Sequence, residues 1–197
     1  MTTAPRARHA QGGRGARERI LEAAADLFYG NGVNATGLAE LAEAAHVSKR
    51  TLYQHFRTKD ELVEACLRRF QDDQVLGNEL ALERTDLPPV ERLLALFVPP
   101  NGDLPLRGCL FSNTAVEIAD TEHPVRVFVA DHKRDFAARA AAIAGEAGAA
   151  DPKALADQLA ILFDGASARA AALNDIAPYA QARTAAATLI THAIPKP

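Results

Sequence analysis

The chain of 197 residues contains no tryptophan, one methionine and two cysteines, and only 6% of it is aromatic. Cys66 and Cys109 are too few for a disulfide framework or a four-ligand metal site, which predicts two small core thiols in a reducing compartment. No apolar run approaches the roughly 20 residues that a membrane span needs, and no apolar signal core opens the chain. A cytoplasmic protein without a membrane partner is therefore expected. Phosphate-binding loops, dinucleotide fingerprints, Gly-x-Ser-x-Gly elbows and paired-histidine zinc motifs are all missing, so neither metal nor cofactor is expected. His123 and His132, with Glu117 nearby, are spaced too far apart to share one helical face, and Pro124 intervenes. An all-helical enzyme would need a convergent acid, base or nucleophile that this pattern does not supply.

What the chain does have is 48% hydrophobic and 24% charged residues, the composition of an ordinary globular protein. Its net charge of −3 conceals an asymmetry: residues 1–70 carry 11 Lys and Arg against 8 Asp and Glu, whereas the remainder carries 11 against 17. Attraction to phosphate depends on local charge, so the basic end suits a polyanion and the acidic end does not.

Hydrophobic periodicity reads as helix throughout, about nine helices and no sheet. Residues 1–15, with Arg6, Arg8, Arg14 and the Gly12-Gly13-Arg14-Gly15 run, read as a flexible basic arm, one that enters a minor groove or is merely a solvated terminus. Ile20, Ala24, Leu27 and Phe28 mark a first helix that stops at Gly30-Asn31-Gly32. Thr36 suits the N-cap of a short helix, and Ser48 that of a second one burying Leu52 and Phe56. Between them Ala45-His46-Val47 must turn, with His46 at the left-handed position. Thr58 and Glu61 form a capping box for a long helix expected to run past Gly77 to near Leu82. Pro88-Pro89 opens a helix that Pro99-Pro100 closes; another spans about Arg107–Ala119. A third, beginning after His123-Pro124, is amphipathic and ends at Gly148. Asp151-Pro152 and Pro178 start the last two.

Two short helices joined by a three-residue turn make a helix-turn-helix, whose second helix offers its N-terminal residues to the DNA major groove. With Leu52 and Phe56 inward, Ser48, Lys49, Arg50, Tyr53 and Gln54 face outward. Lys and Arg can donate to guanine O6 and N7, while Ser, Thr, Tyr and His suit phosphate oxygens. The alternative is an ordinary solvated face.

The stretch Thr36-Gly37-Leu38-Ala39-Glu40-Leu41-Ala42, followed by Val47-Ser48-Lys49-Arg50-Thr51-Leu52-Tyr53-Gln54-His55-Phe56-Arg57-Thr58-Lys59-Asp60-Glu61-Leu62, closely resembles the DNA-binding domain of the TetR/AcrR family of bacterial transcriptional regulators. The resemblance implies that Thr36, Thr51, Tyr53, His55 and Lys59 hold the phosphate backbone, that Lys49 and Arg50 read bases, and that Ser48 does either. Ala39 replaces a longer base-reaching side chain found in many members, and His46 replaces their usual glycine. The implied architecture is all-α: a basic arm at 1–15, a helix-turn-helix domain at 16–63 and a ligand-binding and dimerisation domain at 64–197, with about six helices. The implied function is that of a homodimeric repressor released from a palindromic operator by a small-molecule effector.

For the effector site the candidate walls are Phe97, Phe111, Val116, Phe128 and Phe163, with Asn113, Glu117 and His132 as polar anchors; the alternative is that the phenylalanines only fill core. For the dimer seam the apolar and small residues of the last two helices are the candidates: Leu159, Leu162, Phe163, Ala166, Ala170, Ala182, Ala186 and Leu189. Cys109 is expected as a buried thiol, with Arg107 the only cation adjacent in sequence.

Overall fold

The computed structural model describes residues 15–72, 78–100 and 106–195. Among them the helical punctuation becomes nine α-helices and one 3-10 turn, with no strand. Residues 1–14 of the expected basic arm lie outside the described residues. The chain divides into two compact units, residues 1–66 and 67–197.

The first unit contains α1 (Ala16–Asn31), α2 (Leu38–Ala44), α3 (Lys49–His55) and the start of α4 (Lys59–Asp72). Its core is one face of each: Ile20, Leu21, Ala24 and Phe28 from α1, Leu41 and Ala42 from α2, Leu52 from α3, and Leu62, Val63 and Cys66 from α4. Helices α2 and α3, of seven residues each, are too short to be stable alone in water, so packing supplies what propensity does not. Three side chains cross-link them. Thr36 donates its hydroxyl to the Gly32 carbonyl at 2.7 Å, with the Leu27 carbonyl at 3.3 Å; Arg19 Nε donates to the Ala45 carbonyl at 3.1 Å; and the Arg17 guanidinium lies 5.5 Å from the centroid of Phe56.

The turn between α2 and α3 is a Schellman stop. Val47 N–H reaches the Ala42 carbonyl at 2.9 Å and His46 N–H the Glu43 carbonyl at 3.0 Å, with His46 in the left-handed region at φ 52°. Histidine thus takes the conformation that its position in the sequence predicts. Ser48 Oγ accepts from Thr51 N–H at 3.0 Å and begins α3. Thr58 Oγ1 accepts from Glu61 N–H at 3.1 Å, while the Glu61 carboxylate accepts from Arg57 N–H at 2.8 Å, a capping box displaced by one residue from the expected reciprocal pair.

The second unit holds the 3-10 turn Glu79–Glu83, α5 (Pro89–Ala95), α6 (Leu110–Glu117), α7 (Pro124–Glu146), α8 (Pro152–Leu173) and α9 (Ala177–Ala193). Helices α7, α8 and α9 pack in succession, α5 lies against α7 and α9, and α6 against α7. Gly148 ends α7 at φ 84°, the conformation that favours glycine, and Asp151 Oδ1 caps α8 by accepting from Ala154 N–H at 3.0 Å. Three expectations change. The long helix does not reach Leu82: residues 73–77 lie outside the described residues, and 79–83 form the 3-10 turn. Asn78 Nδ2 there donates to the Leu96 and Val98 carbonyls, both at 2.7 Å. Helix α5 stops at Ala95, because Phe97 and Val98 already bond three residues back. Helix α6 begins at Leu110, since Gly108 at φ 78° cannot continue a right-handed helix.

Candidate functional site

Around α3 the fold sorts side chains by the period of the helix. Leu52 and Phe56 are buried, and Ser48, Lys49, Arg50, Tyr53, Gln54 and His55 are exposed. Among the described residues Lys49, Arg50 and Lys59 make no ion pair, so their charges are available to an external anion. Thr51 is half-buried, with its hydroxyl 2.8 Å from Ser48 Oγ, and Lys59 is half-buried in the first turn of α4. The free amides at the N-terminus of a helix add partial positive charge on the same side as Lys49 and Arg50. A short, rigidly capped helix with two exposed cations in its first turn, flanked by phenol, imidazole and hydroxyl groups, can dock in a groove and donate hydrogen bonds to base edges and phosphates.

Thr36 is placed differently from the sequence expectation. It is fully buried, Gly37 occupies the N-cap of α2, and the threonine hydroxyl is committed to the end of α1. Its side chain is therefore a structural tie and not a phosphate donor. The N-cap amide itself is met by Glu40, whose carboxylate accepts from Gly37 N–H at 3.4 Å.

Of the eight residues considered for an effector site, seven separate into three groups. Phe97 and Phe163 belong to the main core, where Phe163 meets Phe97 edge-on at 6.4 Å and stacks on Phe136 at 5.5 Å. Phe111 and His132 stack at 3.8 Å, Phe128 lies 6.4 Å from Phe111, and Arg68 of α4 covers the Phe128 ring at 4.6 Å. Asn113 ties down the chain before α6, donating to the Arg107 carbonyl at 2.6 Å, and Glu117 sits half-buried near that helix's end. Val116, also considered, points into solvent.

Sequence reasoning missed the charges around that second group. Glu79 is buried; His132 Nε2 lies 3.2 Å from its Oε1 and Arg139 donates to its Oε2 at 2.8 Å. Burial alone would raise the Glu79 carboxyl, but the bonds from His132 and Arg139 outweigh it and hold the group below the usual carboxylate range. Arg139 also bonds Asp135 at 2.9 Å and Glu83 at 3.3 Å. Lys133 reaches Asp164 at 2.5 Å and lies 3.7 Å from Cys109 Sγ, so the cation beside that half-buried thiol is Lys133 rather than Arg107. Burial would lower the Lys133 ammonium, yet Cys109 and Asp164 together hold it above its ordinary value. Of this cluster, the sequence offers as a signal only the i, i+4 spacing of Asp135 and Arg139, which sequence reasoning did not use.

Of the eight residues expected at a dimer seam, Leu159, Phe163, Ala166, Ala170, Ala182 and Ala186 are buried within this one chain, and Leu162 and Leu189 pack half-buried against them. Outward on α8 are instead Ile161, 72% exposed, Gly165, Ala168 and Ala172, and on α9 Ala180, Thr184, Thr188 and Thr191. Among the described residues no helix is long and apolar enough to cross a membrane, and no group of three or more His, Cys, Asp and Glu is arranged to hold a metal ion.

Comparison with known proteins bears on both units. Residues 20–66 match the family model of bacterial regulatory proteins of the tetR family, and residues 90–186 match that of a tetracyclin repressor-like C-terminal domain. A solved structure from Streptomyces avermitilis, described as a TetR transcriptional regulator, is 36% identical; it aligns over 91% of this chain and 98% of its own with a TM-score of 0.79. The transcriptional repressor KstR2 of Mycolicibacterium smegmatis is 34% identical over 82 residues, 42% of this chain and 40% of the relative. The transcriptional activator FasR of the same organism is 45% identical over 69 residues, 35% and 32%. The chain thus spans about a quarter to just over half the length of the curated relatives it matches. With a basic helix-turn-helix in front and an all-helical second unit behind, both matched in sequence and one relative matched almost end to end in structure, this chain belongs to the TetR family of DNA-binding transcriptional regulators.

Proposed function

We propose that the chain is a homodimeric repressor that holds a palindromic operator with its two α3 helices and is released when a small molecule binds the C-terminal unit. The observation that carries the DNA half of this reading is the exposed, unpaired Lys49–Arg50 pair in the first turn of a capped recognition helix. Residues 16–63 are assigned to DNA binding and 64–197 to effector binding and dimerisation. Lys49 and Arg50 read bases, Ser48 serves a base or a phosphate, and Thr51, Tyr53, His55 and Lys59 hold the backbone.

Dimerisation is supported by the outer faces of α8 and α9. Ile161, Gly165, Ala168 and Ala172 recur at helical spacing, and their small side chains permit close approach of a second pair of helices. The threonines of α9 reinforce this. Thr184, Thr188 and Thr191 donate their hydroxyls to the Ala180, Thr184 and Ala187 carbonyls at 3.1, 3.2 and 2.8 Å, which leaves their methyl groups as the outward surface. Successive major grooves on one face of a duplex require the two recognition helices of such a dimer to sit about 34–36 Å apart. Repression, rather than activation, is favoured by the KstR2 likeness over FasR, because it covers more of the chain.

Selection of bound sequences from a random duplex pool at near-physiological salt tests this reading. A two-fold palindrome is the expected result, and compounds that release the selected duplex then identify the effector. An asymmetric site, or salt-sensitive background alone, contradicts the dimeric operator reading.

A further inference from the structure

Buried polar atoms in folded proteins are almost always hydrogen-bonded, so an orphan calls for a partner. Two occur on adjoining helices of the second unit: Thr114 Oγ1 on α6 and His132 Nδ1 on α7, in residues 1% and 2% exposed, have no hydrogen bond. Phe111, one turn before Thr114 on the buried face of α6, lies flat on the His132 imidazole at 3.8 Å and 18°. That stack joins the face carrying the threonine to the histidine.

Their chemical needs are opposite and complementary. Glu79 is a carboxylate that only accepts, so the proton of the imidazole sits on Nε2, facing it at 3.2 Å. Arg139 already pairs with the Glu79 carboxylate at 2.8 Å, and in the neutral tautomer with its proton on Nε2 the Nδ1 lone pair meets no partner among the described residues. Thr114 has a hydroxyl hydrogen and no acceptor. A hydroxyl is the group that can both give a hydrogen to an imidazole nitrogen and accept one from a threonine. The flanking surface, Phe111 and Phe128, is aromatic, while the nearby charges are committed: Lys133 to Asp164 and Arg139 to Glu79. Lys133 and Arg139 are thus spent within the protein, while Arg68 lies 4.6 Å over the Phe128 ring.

We propose that Thr114 and His132 form the polar end of an effector subsite, and that the molecule it takes is an uncharged apolar compound, aromatic in part, bearing a hydroxyl. The assignment rests on the reading above that this unit binds a small molecule. Phenol is the smallest probe of that chemistry; toluene removes the hydroxyl and benzoate replaces it with a charge.

Calorimetry on the full chain, together with the Nδ1 resonance of nitrogen-15-labelled histidine, tests the proposal. Phenol is expected to bind at least about tenfold more tightly than toluene or benzoate and to shift the His132 Nδ1 signal. Thr114→Val keeps the shape of the side chain and removes only an idle hydroxyl, so it should fold at least as well as the parent. His132→Gln keeps a donor for Glu79 and loses the acceptor. Each should bring the phenol-to-toluene ratio close to one, and Thr114→Ser should preserve it. Equal binding of phenol and toluene, a preference for phenol that survives both variants, or no binding of phenol at millimolar concentration overturns the subsite. Loss of stability in Thr114→Val does so too, because it would mean that a structural water alone occupies the hydroxyl. Release of the selected operator duplex is scored separately. A phenol preference without release keeps the subsite and overturns the effector reading; release by another compound with no phenol preference does the reverse.

Discussion

The two units place their chemistry on opposite sides of their own surfaces. In the first, Lys49 and Arg50 are exposed and make no ion pair among the described residues, and the buried part is almost wholly apolar apart from Thr36. In the second, α8 and α9 carry a stripe of small residues outward, while Glu79, His132, Thr114 and Ser167 lie buried. A surface that must meet a long polyanion needs charge in solvent, where it acts at a distance; a site for a small molecule needs polar groups withdrawn from water, where each hydrogen bond counts for more.

The contrast is sharpest if each unit can be damaged alone. Leu52 is 1% exposed at the centre of the first unit, so Leu52→Ala should remove about 2–5 kcal/mol from that unit's unfolding free energy and abolish operator binding. Urea unfolding monitored by NMR should show the second unit's transition unchanged; a common shift would mean the units unfold as one. Glu79→Gln should act in the other direction, at a cost of about 2–3 kcal/mol to the second unit with affinity for DNA intact. Its pH dependence has a definite sign. The Glu79 carboxyl is held lower when folded than when unfolded, so its contribution is fully present above the unfolded value and lost as pH falls through the folded one. The parent should therefore lose more stability than Glu79→Gln in acid titration below about pH 4.5, the ordinary carboxylate value.

Within the first unit the exposed cations should separate by role. Arg50→Ala should cost about 1–3 kcal/mol on the selected operator and relax one base position, whereas Lys59→Ala should weaken every duplex alike and lower the salt slope by about one. Equal losses for Arg50→Ala on cognate and random DNA would remove its base-reading role. The smallest effect belongs to His46→Gly. Relief of the left-handed backbone and the added freedom of the unfolded chain nearly offset one another, so a change within about 0.5 kcal/mol is expected in thermal unfolding.

Legibility followed distance along the chain. Ser48, His46, Gly148 and Asp151 act on neighbours within one turn, and local rules of capping and handedness find such residues without a structure. Thr36 misleads because its partner is the preceding helix: the same hydroxyl that suits an N-cap finds a closed loop and two carbonyls at the end of α1. Glu79, His132 and Arg139 could not have been assembled from spacing, since 53 and 60 residues separate the bonded pairs. The α8 stripe from Leu159 to Ala170 was legible as apolar but not as inward. A helix with one strong apolar face uses it for its own core, and any second contact must be made of the weaker residues opposite, which hydropathy does not single out.

The three ties within the first unit have a mechanical consequence. Thr36 fastens α2 to the end of α1, Arg19 fastens α1 to the turn before α3, and Arg17 bears on Phe56 at the end of α3. All three ties start from α1 or its end and reach both ends of the helix-turn-helix, so α2 and α3 are braced to α1 and follow it when it moves. A signal that ends DNA contact without unfolding this unit must therefore move α1, α2 and α3 as one piece, and a crosslink between α1 and α3 should leave that signal intact.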